Sequence, residues 1–182
     1  MKNIVVRLSS LTLKNIKNVK NGTIIMPLTN ERKNEYGRAE ILGIYGQNGS
    51  GKTAVVDAFY FLQSIMIGEK LDQRIFDYIT TDSTNAQMNA EFKIFADNIW
   101  YEVGYHIFFS KGNEGIIIER EYLNCAINKD GQRSNKNIFM DYQKNQIDIV
   151  FKPLNRLEEL IGKDKNIKMD LLVARKIAEK SN

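Results

Sequence analysis

Gly46-Gln47-Asn48-Gly49-Ser50-Gly51-Lys52-Thr53 places three glycines, a lysine and a hydroxyl in an order suited to holding a polyphosphate. Residues without a Cβ let a turn bring successive backbone N–H groups close to an anion. Lys52 would set a point charge on the β- and γ-phosphates, the one catalytic contribution the sequence offers, and the Thr53 hydroxyl would ligate Mg²⁺. A tight structural turn would account for the glycines. It leaves the Lys-Thr pair at the start of a helix unexplained.

Such a loop needs elements that aim it. Ile41-Leu42-Gly43-Ile44-Tyr45 is a short apolar run that reads as a buried strand, and the segment after the loop has helical spacing, with Val55, Ala58, Phe59, Leu62, Ile65 and Met66 on one face. Strand, glycine turn and helix would direct the helix N-terminus and the turn amides at one anion.

The remaining chain reads mostly as strands. Apolar residues alternate over Ile4–Asn15, and Gly22–Met26 is a second short strand. Glu69–Ile79 has near-helical spacing, and the polar run Thr80–Asn85 breaks it. Ala90–Phe95 alternates, Tyr101, Val103, Tyr105, Ile107 and Phe109 share a strand face, and Ile116–Leu123 follows a Gly-rich turn. Asn137–Tyr142 and Gln146–Phe151 complete an antiparallel meander, and Leu154–Ile161 and Ile167–Ala178 read as a helical tail. The expected fold is therefore α/β with α+β character. It is a lobe with a strand, phosphate-loop and helix core (1–68), a helix and loop (69–85), a β meander (86–152) and a helical tail (153–182).

Two stretches resemble the SMC/RecF-like branch of the ATP-binding-cassette ATPases. Leu11-Thr12-Leu13-Lys14-Asn15-Ile16-Lys17 resembles its opening strand followed by Asn-Phe-Lys/Arg, with Ile16 in place of Phe. Ile44 to Ala58 resembles its phosphate loop and helix, and Tyr101–Tyr105 with Ile118–Leu123 is similar to bacterial AAA family proteins of the overcoming-lysogenisation and abortive-infection group. The resemblance covers roughly residues 1 to 150 and implies an ATP–Mg²⁺ site at Gly46, Gln47, Asn48, Gly49, Ser50, Gly51, Lys52 and Thr53. It also implies that Lys17 reaches nucleotide phosphate or ribose, the alternative being a lysine in a surface turn, and that Asp57 is the acidic residue of the helix, the alternative being a favourable charge near the helix N-terminus.

The family completes its site with a Ser-Gly-Gly signature, an Asp-Glu strand and a switch histidine, none of which is visible here. Ile116-Ile117-Ile118-Glu119 imitates the acidic strand but reads as part of a hairpin, and His106, the single histidine, reads as structural. Gln143 and Gln146 are candidates for the family's sensing glutamine or ordinary strand residues. The resemblance thus implies a lobe that binds ATP and needs a C-terminal lobe and dimerisation, as a homodimer, to hydrolyse it. A self-sufficient GTPase or nucleotide kinase, or a nucleotide-controlled interaction module touching DNA, are the other readings. Asn128-Lys129-Asp130-Gly131 misses the guanine-reading spacing, and no arginine-rich lid is present.

Composition excludes other classes. The chain has 182 residues, a net charge of +4, one cysteine and 43% hydrophobic residues, which suits one globular domain without an internal disulfide. No window approaches the 18 uninterrupted apolar residues of a membrane span, and a cytoplasmic protein is expected. The scattered lysines permit contact with DNA without indicating it.

Overall fold

The computed structural model describes residues 4–27, 41–67, 77–96, 99–113, 116–129, 131–144 and 150–151. Within them the chain runs β1 (Val5–Ile16), β2 (Val19–Ile25), α1 (Lys52–Ile67), β3 (Asn85–Ala96), β4 (Ile99–Lys111), β5 (Ile116–Lys129), β6 (Gln132–Arg133), β7 (Asn137–Gln143) and β8 (Val150–Phe151). One sheet holds all the strands in the order β2-β1-β3-β4-β5-β7-β8, with β6 paired to β5, and every pairing is antiparallel.

This corrects the expected α/β class. The described residues are mostly antiparallel strand with a single α-helix, and residues 41–47, which lead into the loop, form no strand. Residues 41–47 carry no regular structure, and Ile41, Leu42, Ile44 and Tyr45 are 87, 38, 42 and 93% exposed. Their apolar character suggests burial, but a strand forms only where a neighbour takes up its amides and carbonyls, and none of the described strands does so here. The helix expected over Glu69–Ile79 falls largely outside the described residues; its last part is a short turn at 77–78 and a bridge between Ile79 and Ile16. Both helices of the expected tail lie outside the described residues.

Alternation along the strands produces two unlike faces. On one, Leu11 and Leu13 of β1, Ala86, Met88 and Ala90 of β3, and Tyr105, Ile107 and Phe109 of β4 are buried. Against them α1 sets Ala54, Ala58, Phe61, Leu62 and Ile65, spaced three and four apart. Phe61 is the centre of this packing, its ring 5.1 Å from Phe109 and 6.3 Å from Tyr78. The face expected from sequence was partly wrong, since Phe59 and Met66 are 36 and 51% exposed. Apolar residues occur all round this helix, so spacing alone does not select the buried stripe.

The other face carries Glu91 of β3, Glu102, Gly104 and His106 of β4, and Tyr122 and Asn124 of β5, brought side by side by the registers Glu91↔Gly104↔Asn124 and His106↔Tyr122. Bulges keep both faces consistent. In β5 Ile118 pairs with Phe109 and Arg120 with Phe108, so Glu119 is the extra residue and Ile118 turns into the core. No described helix is long and apolar enough to cross a membrane.

Candidate functional site

The loop ahead of α1 adopts backbone angles that its glycines permit. Gly49 and Gly51 have φ of 83° and 94°, where L side chains are strained. Ser50 N donates to Gln47 O at 3.2 Å, and Val55 N donates to Gly51 O at 3.2 Å, which starts the helix at the end of the glycine motif. A Cβ on Gly51 would lie 2.8 Å from Val19 Cγ2, and one on Gly46 would lie 2.6 Å from Ser50 Oγ. The sequence thus places small residues where the β1–β2 turn and the loop itself close in.

Charge at the site is unevenly distributed. The first turn of α1 holds no acidic residue, so the free amides and the positive end of the helix dipole are not neutralised from within that turn. Lys52 Nζ donates to Gly46 O at 2.5 Å and Gln47 O at 2.6 Å, with Ser50 Oγ at 3.4 Å. The ammonium is thereby curled over the loop, bonded to neutral carbonyls. Thr53, one residue on, is exposed.

A brace from the β1–β2 turn fixes the loop from below. Asn18 Nδ2 donates to Gly49 O, and Lys17 Nζ forms an ion pair with Asp57 in the second turn of α1. Lys17 also lies over the Tyr78 ring, 5.0 Å from its centre, and its amide donates to Tyr78 O at 2.6 Å. Thr80 Oγ1 donates to Lys17 O at 2.6 Å. Asn15 and Lys17 take φ of 57° and 50°, and Asn15 Nδ2 holds its end of the turn through Ser83 Oγ at 3.0 Å. The strained turn is therefore anchored on both sides, as such conformations require.

The structure brings Gly46 to Thr53 together at one helix start and places Lys17 and Asp57 against each other beside it. Lys17 rests on a carboxylate and a ring; the carbonyl of Gly49 is reached by its neighbour Asn18. Asn18, Val19 and Tyr78 were not singled out from sequence, because nothing in their spacing shows which turn will meet the loop. The other candidates lie elsewhere. His106 is on the sheet face away from α1, Gln143 ends β7, and Gln146 falls outside the described residues. Glu119 accepts from Ser110 Oγ at 2.5 Å and lies 3.5 Å from Lys144 Nζ, a structural place within the hairpin. No cluster of three or more His, Cys, Asp or Glu side chains that could hold a metal occurs among the described residues.

A second concavity lies under the far end of α1. It is a cavity of about 270 Å³ whose lining includes Met66, Phe92, Ile94, Val103, Leu123 and Met140. At 1.5 Å per residue, Met66 is roughly 21 Å along the helix from Lys52, so the cavity is separate from the loop. Tyr105 Oη donates to Glu121 Oε1 at 2.6 Å at its wall, and burial, together with that carboxylate, pushes the phenol well above its ordinary range.

Comparison of the chain with protein-family models finds no match, and comparison with curated proteins finds none.

Proposed function

We propose that the chain binds a nucleoside triphosphate with Mg²⁺, ATP in the first place, at the loop Gly46–Thr53, as the nucleotide-binding lobe of an SMC/RecF-like ATPase. One observation carries this reading: the glycine loop, with two left-handed glycines, runs directly into a 16-residue helix whose first residue is Lys52. Turn amides and a helix N-terminus free of acidic residues suit an anion, and Lys52 is already folded over the loop. Its ammonium would exchange two carbonyl oxygens for phosphate oxygens, a stronger charge-assisted pairing. The Thr53 hydroxyl, exposed beside it, is the residue that would hold Mg²⁺. The reading rests on this loop and helix; the α/β core expected around them is not part of it.

Binding is as far as these residues carry the chemistry. Hydrolysis also needs a positioned water and charge stabilisation opposite the γ-phosphate. Asp57, the nearest carboxylate along the helix, is tied to Lys17. A further lobe or a second copy of the chain would have to supply those groups.

Displacement of a fluorescent ATP analogue from the full chain tests the proposal. ATP should displace it in Mg²⁺, ADP less well and AMP poorly, since the loop reads the β- and γ-phosphates. Displacement by AMP or adenosine as strong as by ATP would overturn it, and preference for GTP would replace ATP as the ligand.

A further inference from the structure

On the sheet face turned away from α1, three neighbouring strands bring Glu91, Gly104 and Asn124 into one cross-strand row, with His106 two residues along β4 on the same face. The middle position of the row has no side chain, and its neighbours lean into the gap. Asn124 Oδ1 and His106 Nε2 each lie 2.8 Å, and Glu91 Oε1 lies 2.9 Å, from the place where a Cβ on Gly104 would stand. Three lone-pair atoms therefore meet over one glycine.

One of the three has no partner. Asn124 is only 6% exposed, and its Oδ1 is buried without a hydrogen-bond donor. Glu91 Oε2 is engaged by Lys136 Nζ at 2.9 Å, which leaves Oε1 turned to the imidazole, 3.5 Å from Nε2. The Asn124 amide nitrogen lies 3.3 Å from the same Nε2. A buried carbonyl oxygen without a donor, such as Asn124 Oδ1, is costly unless something cationic or hydrogen-donating sits beside it.

We infer that this gap is a binding site for a divalent transition-metal ion of the zinc class, held by His106 Nε2, Glu91 Oε1 and Asn124 Oδ1, with water completing the coordination. One imidazole nitrogen, one carboxylate oxygen and one amide oxygen form a borderline donor set of the kind zinc accepts. Two donors on one tetrahedral ion at 2.0–2.1 Å stand about 3.3 Å apart. The Nε2 to Oε1 separation of 3.5 Å is close to that edge. Asn124 Oδ1, as placed, converges with these two atoms on the one point above Gly104, and the ion would take the place of the 3.3 Å contact between Asn124 Nδ2 and Nε2. The Tyr122 ring, 5.5 Å from the imidazole centre and edge-on, limits how far His106 can swing away. The site is independent of the phosphate loop, which lies on the other side of the sheet.

His106 is the only histidine in the chain, so imidazole ¹⁵N resonances of the tag-free, chelator-treated full chain report this site alone. Addition of Zn²⁺ should shift Nε2 with one-to-one saturation. His106→Gln should abolish the saturable binding, and Cys125→Ser should leave it unchanged, because that thiol is buried on the opposite face. Asn124→Asp should tighten binding by adding a charge to the ion's shell, a gain that a purely structural amide would not give. Circular dichroism checks that each variant is folded. No shift of Nε2 at excess Zn²⁺ would overturn the inference and leave a bridging water as the occupant. Binding that survives His106→Gln, or that weakens in Asn124→Asp, would overturn it equally.

Discussion

Replacing Phe61 by alanine should detach α1, and with it the loop, from the sheet. Phe61 is fully buried and joins the helix to Phe109 of β4 and to Tyr78, the residue on which Lys17 rests. Truncating a buried phenylalanine costs about 3–5 kcal/mol. Two aromatic contacts, each contributing about 0.5–1.5 kcal/mol beyond burial, put this site in the upper part of that range. With a urea slope of about 2 kcal/mol per M, the unfolding midpoint should fall by roughly 2 M. The fluorescence of Trp100, the single tryptophan, in β4 and 5.1 Å from the Phe95 ring, follows the transition. Phe59→Ala, two residues away and 36% exposed, is the control and should cost under about 1 kcal/mol. Equal losses at the two positions, or less than about 1.5 kcal/mol at Phe61, would refute the packing of the helix described above.

Three further outcomes follow from the same geometry. Gly51→Ala should destabilise more than Gly49→Ala, measured by thermal unfolding. Both have positive φ and lose about 1–2 kcal/mol to strain, but only Gly51 would also drive a methyl into Val19. Lys17→Met and Asp57→Asn should show a coupling of about 1 kcal/mol or less in a double-mutant cycle, modest because both side chains are partly solvated. For His106, burial holds the pKa below 6.5, with Lys136 and Arg120 acting in the same direction and Glu91 opposing them. The unfolded chain then binds the extra proton first, so the contribution of His106 to stability is complete above pH 6.5 and is lost as pH falls toward and through its lowered folded value. The difference between the urea midpoints of the native protein and His106→Gln should be constant above neutral pH and shift on acidification in the variant's favour; a difference that does not change with pH would contradict it.

What could be read from sequence divides along a physical line. The glycine turn and the helix after it were legible because both are local: permissive glycines and helical spacing show within a few residues. Strands such as β4 were legible because alternation from Tyr101 to Phe109 is a property of the strand alone. Ile41–Tyr45 was misread because strand formation depends on a neighbour, and apolar residues do not state whether one is present. The buried stripe of α1 was misread in part because a helix apolar on all sides offers several. Asn18 at the loop, and the row of Glu91, Gly104 and Asn124, come from registers between strands far apart in the chain. Bulges such as the one at Glu119, which decide those registers, leave no plain mark in the residues.

The central claim is that Lys52 and the glycine loop hold a triphosphate, and calorimetric titration of Mg²⁺–ATP into the full chain and into Lys52→Ala tests it most directly. Loss of a charge-assisted bond contributing about 1.5–3 kcal/mol predicts one saturable site in the native chain and an affinity about 10- to 100-fold weaker in the variant, with the thermal midpoint of the free protein little changed. No binding by the native chain, or equal binding by both, would contradict it.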